Sequence, residues 1–371
     1  MPDDDYQKRL TAASRSCSRI LSGRRPVTIA EQLAALGDSG YDLDRAHDVY
    51  GNEVVAELED RVAGLLGKPA AAYFPTGTMA QQIALRIWSE RAANPTVALH
   101  PLHHTEVHER KAYAMVSGLR AVWPTGERRH PTPEEVRAVP DPFAALAIEL
   151  PMRDAGFLLP TFDELRELSE IARSRGAAVH FDGARLWEST PYLGRDLPTV
   201  AGLADSVYVS FYKSLGAFSG AALAGPADLI ATAKAWRHRY GGQLFSQWPA
   251  VLTAMVGLDR ELPRLPEYVA HARIVAAALA TLPGAVVTAN PPHTHQFQLW
   301  LPYSKAALDQ ASLEMAEQEG IRFAGGWNEQ TPGDRCMTEV TVAAGALEWT
   351  AEDVAAAGKS FVDRAAAAQP A

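Results

Sequence analysis

Three side chains define the chemistry open to this sequence. The run Val179-His180-Phe181-Asp182-Gly183-Ala184-Arg185 ends in an aspartate and an arginine, and Asp205-Ser206-Val207-Tyr208-Val209-Ser210-Phe211-Tyr212-Lys213 ends in a lysine. Each run is apolar up to its charged end, as in a strand buried in a parallel sheet that presents its chemistry at the C-terminal edge. The separation of Asp182 from Lys213 matches one βαβ repeat. The amine can condense with an aldehyde, the carboxylate can keep a pyridine nitrogen protonated, and the guanidinium can grip a carboxylate through two hydrogen bonds. Together they suit pyridoxal phosphate working on an amino acid. The plain alternative is a structural Asp–Arg pair and a surface lysine. Against it, Lys213 lies within an apolar and aromatic run, where a solvated lysine is disfavoured, and glycines follow at positions 216 and 220.

Two further stretches would complete such a site. Residues 70–74 read as a strand, Pro75-Thr76-Gly77-Thr78 as a turn, and 79–92 as a helix. A helix start with free N–H groups is an anion site, to which Thr78 adds a hydroxyl; a simple N-cap by Thr76 or Thr78 is the competing reading. After a strand at 97–99 come His100, His103, His104 and His108. They lack the carboxylate and histidine spacing of a metal site, so no metal is expected. One histidine is expected against a planar ligand and the others on the surface.

The elements that must hold these residues follow from periodicity. Helices are expected at 29–36, 54–66, from Thr132 onward, 162–174, 249–262, 268–282, 306–319 and 351–368. Strands are expected at 112–115, 121–123, 144–150, 295–301, 321–324 and 338–343, with a basic aromatic loop at 236–243. Strand and helix alternate up to Gly225, which gives an α/β domain with a mostly parallel sheet flanked by helices, followed by a smaller α+β C-terminal domain. The expected divisions are an N-terminal arm (1–47), a large cofactor domain (48–258) and a small domain (259–371). The length of 371 residues fits two domains, and a net charge of −9 offers nothing to nucleic acid or an anionic membrane. No apolar run reaches membrane-spanning length, the start Met1-Pro2-Asp3-Asp4-Asp5 has no secretory pattern, and two cysteines fit a reducing cytoplasm.

In order along the chain, Asp48-Val49-Tyr50-Gly51, Thr76-Gly77-Thr78-Met79-Ala80, His180-Phe181-Asp182-Gly183-Ala184-Arg185 and Lys213-Ser214-Leu215-Gly216-Ala217 resemble the L-threonine aldolases, within the β-eliminating lyase group of fold-type-I pyridoxal-phosphate enzymes. The resemblance is good over about residues 48–255 and loose beyond. It implies that Lys213 is the Schiff-base lysine, Asp182 the partner of the pyridine nitrogen, and Arg185 the contact to cofactor and substrate carboxylate. Gly77 and Thr78 would cradle the phosphate, with Ser210 also at the cofactor. His104, followed five residues later by Glu109, would stack on the ring, with His103 as runner-up. It also implies a homodimer or homotetramer with shared active sites.

The implied reaction cleaves a threonine-like β-hydroxy-α-amino acid to glycine and an aldehyde, with His104 as candidate acceptor of the hydroxyl proton. β-Elimination or racemisation of another amino acid by the same cofactor is the alternative, and a non-catalytic ligand-sensing protein is the rival from another class. The substrate half departs from the family pattern. Leu150-Pro151-Met152-Arg153 replaces an Asn-Thr-His-Asn stretch, Tyr212 stands where a serine is common, and the C-terminal substrate arginine has no counterpart in register, so Arg153 and Arg335 are the candidates to replace it.

Overall fold

The computed structural model describes residues 2–329 and 335–369. It contains two compact units, one spanning Leu36–Arg264, the other joining the stretch up to Ala35 with Leu265 and beyond.

The unit Leu36–Arg264 is built on a seven-stranded sheet of β1 (Ala70–Phe74), β2 (Thr96–Ala98), β3 (Arg120–Val122), β4 (Ala145–Glu149), β5 (Ala178–Gly183), β6 (Ser206–Ser210) and β7 (Ala221–Gly225), in the order β1-β7-β6-β5-β4-β2-β3. Only β7 runs against its neighbours β1 and β6. The remaining pairings are parallel, so β1, β2, β4, β5 and β6 end at one edge. Strands β4, β6 and β7 are buried at every position, which explains why they are mostly apolar on both faces: both faces of such a sheet are covered.

The covering helices include α1 (Val54–Leu66), α2 (Gly77–Ala92), α3 (a single turn, His104–Val107), α4 (Phe162–Ser174), α5 (Ala227–Arg239) and α6 (Trp248–Arg260). Ile83 and Ile87 of α2 and Leu229, Ile230 and Ala233 of α5 close one core over Ala72, Phe74, Tyr208, Ala221 and Leu223 of the sheet. Helix α4 starts with a reciprocal capping box between Thr161 and Glu164. The buried Asp48 carboxylate accepts from Gln247 N, Trp248 N and Ser246 Oγ at 2.8–3.1 Å and so caps α6.

The other unit holds a four-stranded antiparallel sheet, β8 (Val286–Thr288), β9 (Gln296–Leu301), β10 (Asn328–Glu329) and β11 (Cys336–Thr341), in the order β10-β11-β9-β8. Helices α7 (Leu265–Leu279), α8 (Lys305–Glu314) and α9 (Ala351–Ala368) accompany it. Phe361 stacks on Phe323 and Trp327, with ring centroids 5.0 and 5.7 Å apart.

Four local expectations are corrected. Residues 112–115 form a helical turn rather than a strand, because Ala114 N and Met115 N both bond Lys111 O and Ala and Met are good helix formers. The N-terminal stretch carries a helix, Pro2–Ser16, which the polar composition concealed; its Leu10 and Ala13 pack with Cys17, Ile20 and Ala316. Helix α5 runs through Arg239, so Trp236 to Arg239 are helical and the loop begins only at Tyr240. Strand 321–324 shrinks to Ile321–Arg322, paired in parallel with Arg19–Ile20.

Candidate active site

The site forms where the parallel strands end. Register places Glu149 of β4, Asp182 of β5 and Tyr208 of β6 side by side, and one step inside them Ala147, His180 and Ser206. Because side chains on adjacent parallel strands share a face in register, each trio forms a row beneath α2. Helix α2 answers both rows. Tyr208 reaches Gly77, whose missing Cβ would stand 2.1 Å from the phenol oxygen, and His180 Nε2 meets Gln81 Oε1 at 2.6 Å. Gly77 and Gln81 are one helical turn apart, so a packing contact with β6 and a hydrogen bond to β5, the strand that carries Asp182, fix the start of the helix. On its other side the His180 ring meets Ser206 Oγ at 2.8 Å, and Trp88 Nε1 donates to the same oxygen at 2.8 Å. Burial lowers the His180 pKa to about 4 and keeps the ring neutral.

Asp182 is 1 % exposed. Its Oδ1 accepts from Ala184 N at 3.1 Å, and its Oδ2 is buried with no hydrogen-bond partner among the described residues. Lys213 lies past the end of β6, partly buried, its Nζ 5.8 Å from the centre of the Tyr212 ring. Burial and then the Arg185 guanidinium pull its ammonium down to about 8, against Asp182 and Glu149. Arg185, 8 % exposed, lies over Phe157 at 5.2 Å, and its Nε has no hydrogen-bond partner among the described residues. Ser210 ends β6 fully buried, close to the Tyr208 phenol. Burial, then Asp182, hold that phenol neutral far beyond the physiological range.

At the end of β1, Thr76 Oγ1 caps α2 by accepting from Met79 N at 3.2 Å. The N–H groups of Gly77 and Thr78 remain, as the first N–H groups of any helix do, without a partner inside it. Thr78 is exposed beside them. Free N–H groups at a helix start suit an anion, and the Tyr208 hydroxyl stands directly beside Gly77.

The histidines divide by role. His100 and His103 are buried, contrary to the expectation that all but one lie on the surface. His100 bonds Glu127 O and accepts from Leu102 N, so it holds two turns together. His103 caps α3 by accepting from Thr105 N, and its buried Nε2 has no partner among the described residues. His104 bonds Glu109 Oε1 through Nδ1 at 3.2 Å. Burial lowers its pKa, but Glu109 and Asp182 outweigh that and the net shift is upward.

Glu149 is a member of the site that the sequence reading passed over. It is 3 % exposed, and its oxygens accept from His104 N at 2.9 Å and Arg153 N at 3.3 Å. Burial and repulsion from Asp182 push its pKa up to about 7. Its signal was available: it closes the apolar run 144–148, as Asp182 closes the buried strand β5. Tyr208 and His180 gave no such signal, because a Tyr or His on a strand reads as packing. Of the two candidate arginines, Arg153 follows β4 and acts on the charge of Lys213, while Arg335 bonds Gly284 O within the other unit.

The side chains present fit pyridoxal phosphate. An isolated buried carboxylate oxygen costs about 1–3 kcal/mol if left unpaired, and a protonated ring nitrogen would satisfy Asp182 Oδ2. The cradle at Gly77 suits a phosphate and the depressed Lys213 suits imine chemistry.

Comparison with known proteins adds to this geometry. The profile of the beta-eliminating lyase family matches residues 28–300. A solved structure from Listeria monocytogenes, provisionally described as an L-allo-threonine aldolase, superposes with a TM-score of 0.89 at 32% identity, covering 97% of this chain and 99% of that one. One from Exiguobacterium, provisionally described as an aromatic amino acid beta-eliminating lyase/threonine aldolase, gives 0.89 at 34% identity, covering 96% and 99%. The low-specificity L-threonine aldolase 1 of Arabidopsis thaliana is 25% identical over 308 residues, 80% of this chain and 86% of that protein.

Proposed function

Because this chain belongs to the beta-eliminating lyase family, a family of pyridoxal-phosphate-dependent enzymes of fold type I, we propose that it cleaves a threonine-like β-hydroxy-α-amino acid to glycine and an aldehyde. The observation that carries the reading is the unpartnered Asp182 Oδ2, buried on the strand next to the one that leads to Lys213.

When bound, pyridoxal phosphate supplies a conjugated ring that accepts the electron pair of a bond broken at Cα. Asp182 Oδ2 would keep a proton on the ring nitrogen. Lys213 holds the cofactor through Nζ: with a pKa of about 8, roughly a tenth of the amine is neutral at pH 7, against well under ~0.1% for an ordinary lysine. Gly77 and Thr78 present N–H groups to the phosphate, and Ser210 lines the same side. Arg185 would grip the substrate carboxylate and so orient the substrate. His104, held by Glu109, would lie against the ring.

Tyr50, Leu244, Phe245 and Trp248 are exposed, with Tyr50 and Phe245 in edge contact at 5.4 Å. This apolar patch supports a homodimer or homotetramer with shared sites. The two thiols, Cys17 and Cys336, are free and buried, consistent with a reducing cytoplasm.

The test uses the holoenzyme with L-threonine, L-allo-threonine and L-serine. Acetaldehyde and glycine from either threonine, lost in K213A, are the expected result. Pyruvate from serine without acetaldehyde from threonine would replace the aldolase reading with elimination. Light scattering at micromolar concentration is expected to give a dimer or tetramer, and a monomer would overturn that part.

A further inference from the structure

Beside His104 stands a second imidazole with the construction of a general base. His108 closes the turn of α3, its N–H bonded to His104 O, and its ring lies 5.2 Å from that of His104. Its Nε2 is 2.6 Å from Asp154 Oδ2. Asp154 sits in the turn Arg153–Ala155 that follows β4, and Arg128 donates to its carbonyl. The neighbouring Arg153 brings Nη1 to 3.5 Å from His108 Nε2, and the charge of the same Arg153 acts on Lys213 and on Tyr212. Arg153 thus meets His108 directly and acts on Lys213 through its charge.

Two groups face Nε2: an ionised carboxylate, which only accepts, at 2.6 Å, and the Arg153 guanidinium, which only donates, at 3.5 Å. The shorter, charge-assisted contact to Asp154 decides, so Nε2 carries the proton, the Arg153 approach is not a hydrogen bond, and the lone pair of the neutral ring is on Nδ1. That nitrogen has no hydrogen-bond partner among the described residues, and the side chain is 34% exposed. A carboxylate that fixes one ring nitrogen and leaves the other free is the arrangement that orients a histidine to take a proton. His104 is placed differently: Glu109 holds its Nδ1, and Glu109 and Asp182 favour its charged form, which has no lone pair to give.

We propose that His108, ordered by Asp154, is the catalytic residue that takes the β-hydroxyl proton; the inference rests on the aldolase reading above. Nδ1 accepts the hydroxyl proton, and the O–H electron pair becomes the second C–O bond of the aldehyde. The Cα–Cβ pair remains with Cα, which afterwards takes up one proton, so that substrate equals glycine plus aldehyde.

The experiment compares wild type, H108N and D154N as holoenzymes in two reactions. Cleavage of L-threonine needs the hydroxyl proton removed; exchange of a glycine α-proton with D2O does not. The expected result for H108N is cleavage slowed on the order of 100-fold or more with exchange unchanged, and for D154N a smaller loss in the same reaction only. In the cofactor-free protein, 15N NMR is expected to show His108 protonated at Nε2, and D154N to weaken that preference. H108N cleaving at the wild-type rate, both reactions falling together, or a ring protonated at Nδ1 would overturn the assignment. If the wild type exchanges glycine but cleaves no β-hydroxy amino acid, the aldolase reading fails, and this inference with it. Since His108 is exposed, neither variant removes core packing.

Discussion

The tightest geometric demand in the site is at Gly77, and Gly77→Ala tests the anion cradle directly. A Cβ there would stand 2.1 Å from Tyr208 Oη, 2.7 Å from Cζ and 3.0 Å from Cε2. Non-bonded heavy atoms are at their best near 3.5–4.0 Å, so something must give by roughly 1 Å. The ring cannot swing away: Tyr208 is 4 % exposed, packed among Phe74, Ala80, Ile83 and Ala184. The start of α2 must therefore lift from the sheet, and its two free N–H groups move with it. Overpacking of this kind costs about 1–3 kcal/mol. If the cost falls on the cradle, pyridoxal phosphate binds about 5–150-fold more weakly; if it falls on the fold, the melting temperature of the cofactor-free protein drops about 2–4 °C per kcal/mol. Fluorescence titration and thermal unfolding of the cofactor-free protein separate the two. Y208F removes the nearest atom but leaves Cζ at 2.7 Å, so the double variant G77A/Y208F is expected to recover only part of the loss. A G77A protein that binds and melts like wild type would refute both the packing argument and the cradle.

Three further outcomes rest on the same geometry. Lys213 has its folded-state pKa lowered to about 8 from 10.5, so the charged lysine destabilises the cofactor-free fold below pH 8, and that cost fades as pH rises toward 10.5. K213M is therefore expected to be more stable than wild type at pH 7, by about 1–3 kcal/mol in urea denaturation, with the gap closing by pH 10; an equal or larger gap at pH 10 would contradict it. D182N keeps the acceptor for Ala184 N but cannot hold a proton on a ring nitrogen. It should fold and bind cofactor yet lose cleavage by on the order of 100-fold or more, read as kcat/KM against the wild type. Asp48→Ala removes the cap of α6 and leaves the N–H groups of Gln247 and Trp248 unpaired; a loss of about 2 kcal/mol, about 4–8 °C in melting temperature, is expected by calorimetry.

Much of the framework was legible because local signals agreed with one another. Val54–Leu66, Ala70–Phe74 and Phe162–Ser174 have the expected bounds: an apolar stripe, an apolar run and a Thr161-x-x-Glu164 box each mark their own ends. The direction of β7 was not legible, since a buried antiparallel strand reads like a parallel one. Residues 112–115 deceived because four residues are too few to show a period. In the site, Asp182, Arg185, Lys213 and Gly77 stood out because charge or glycine interrupts an apolar run. His108 and Asp154 did not, because their pairing depends on β2 and β4 lying side by side, which brings the segments after these strands together.

The unusual feature of the site is that its charges are not paired off. Asp182 and Glu149 are buried neighbours in register, two like groups that repel, and Arg185 and Lys213 repel on the other side. A fold selected for stability alone would avoid this, since a buried charge is tolerated when it is fully bonded. Glu149 is bonded: it accepts backbone N–H groups from the turns after β2 and β4, and so fixes the segments that carry His104 and Arg153. Asp182 is bonded on one oxygen only. Burial, and then Asp182, raise the pKa of Glu149, the residue with a structural role, and Asp182 keeps an oxygen open. A cationic ring nitrogen against that oxygen and an anionic phosphate at Gly77 would relieve both halves at once, so much of the unfavourable charge in the ligand-free fold becomes binding energy for the cofactor.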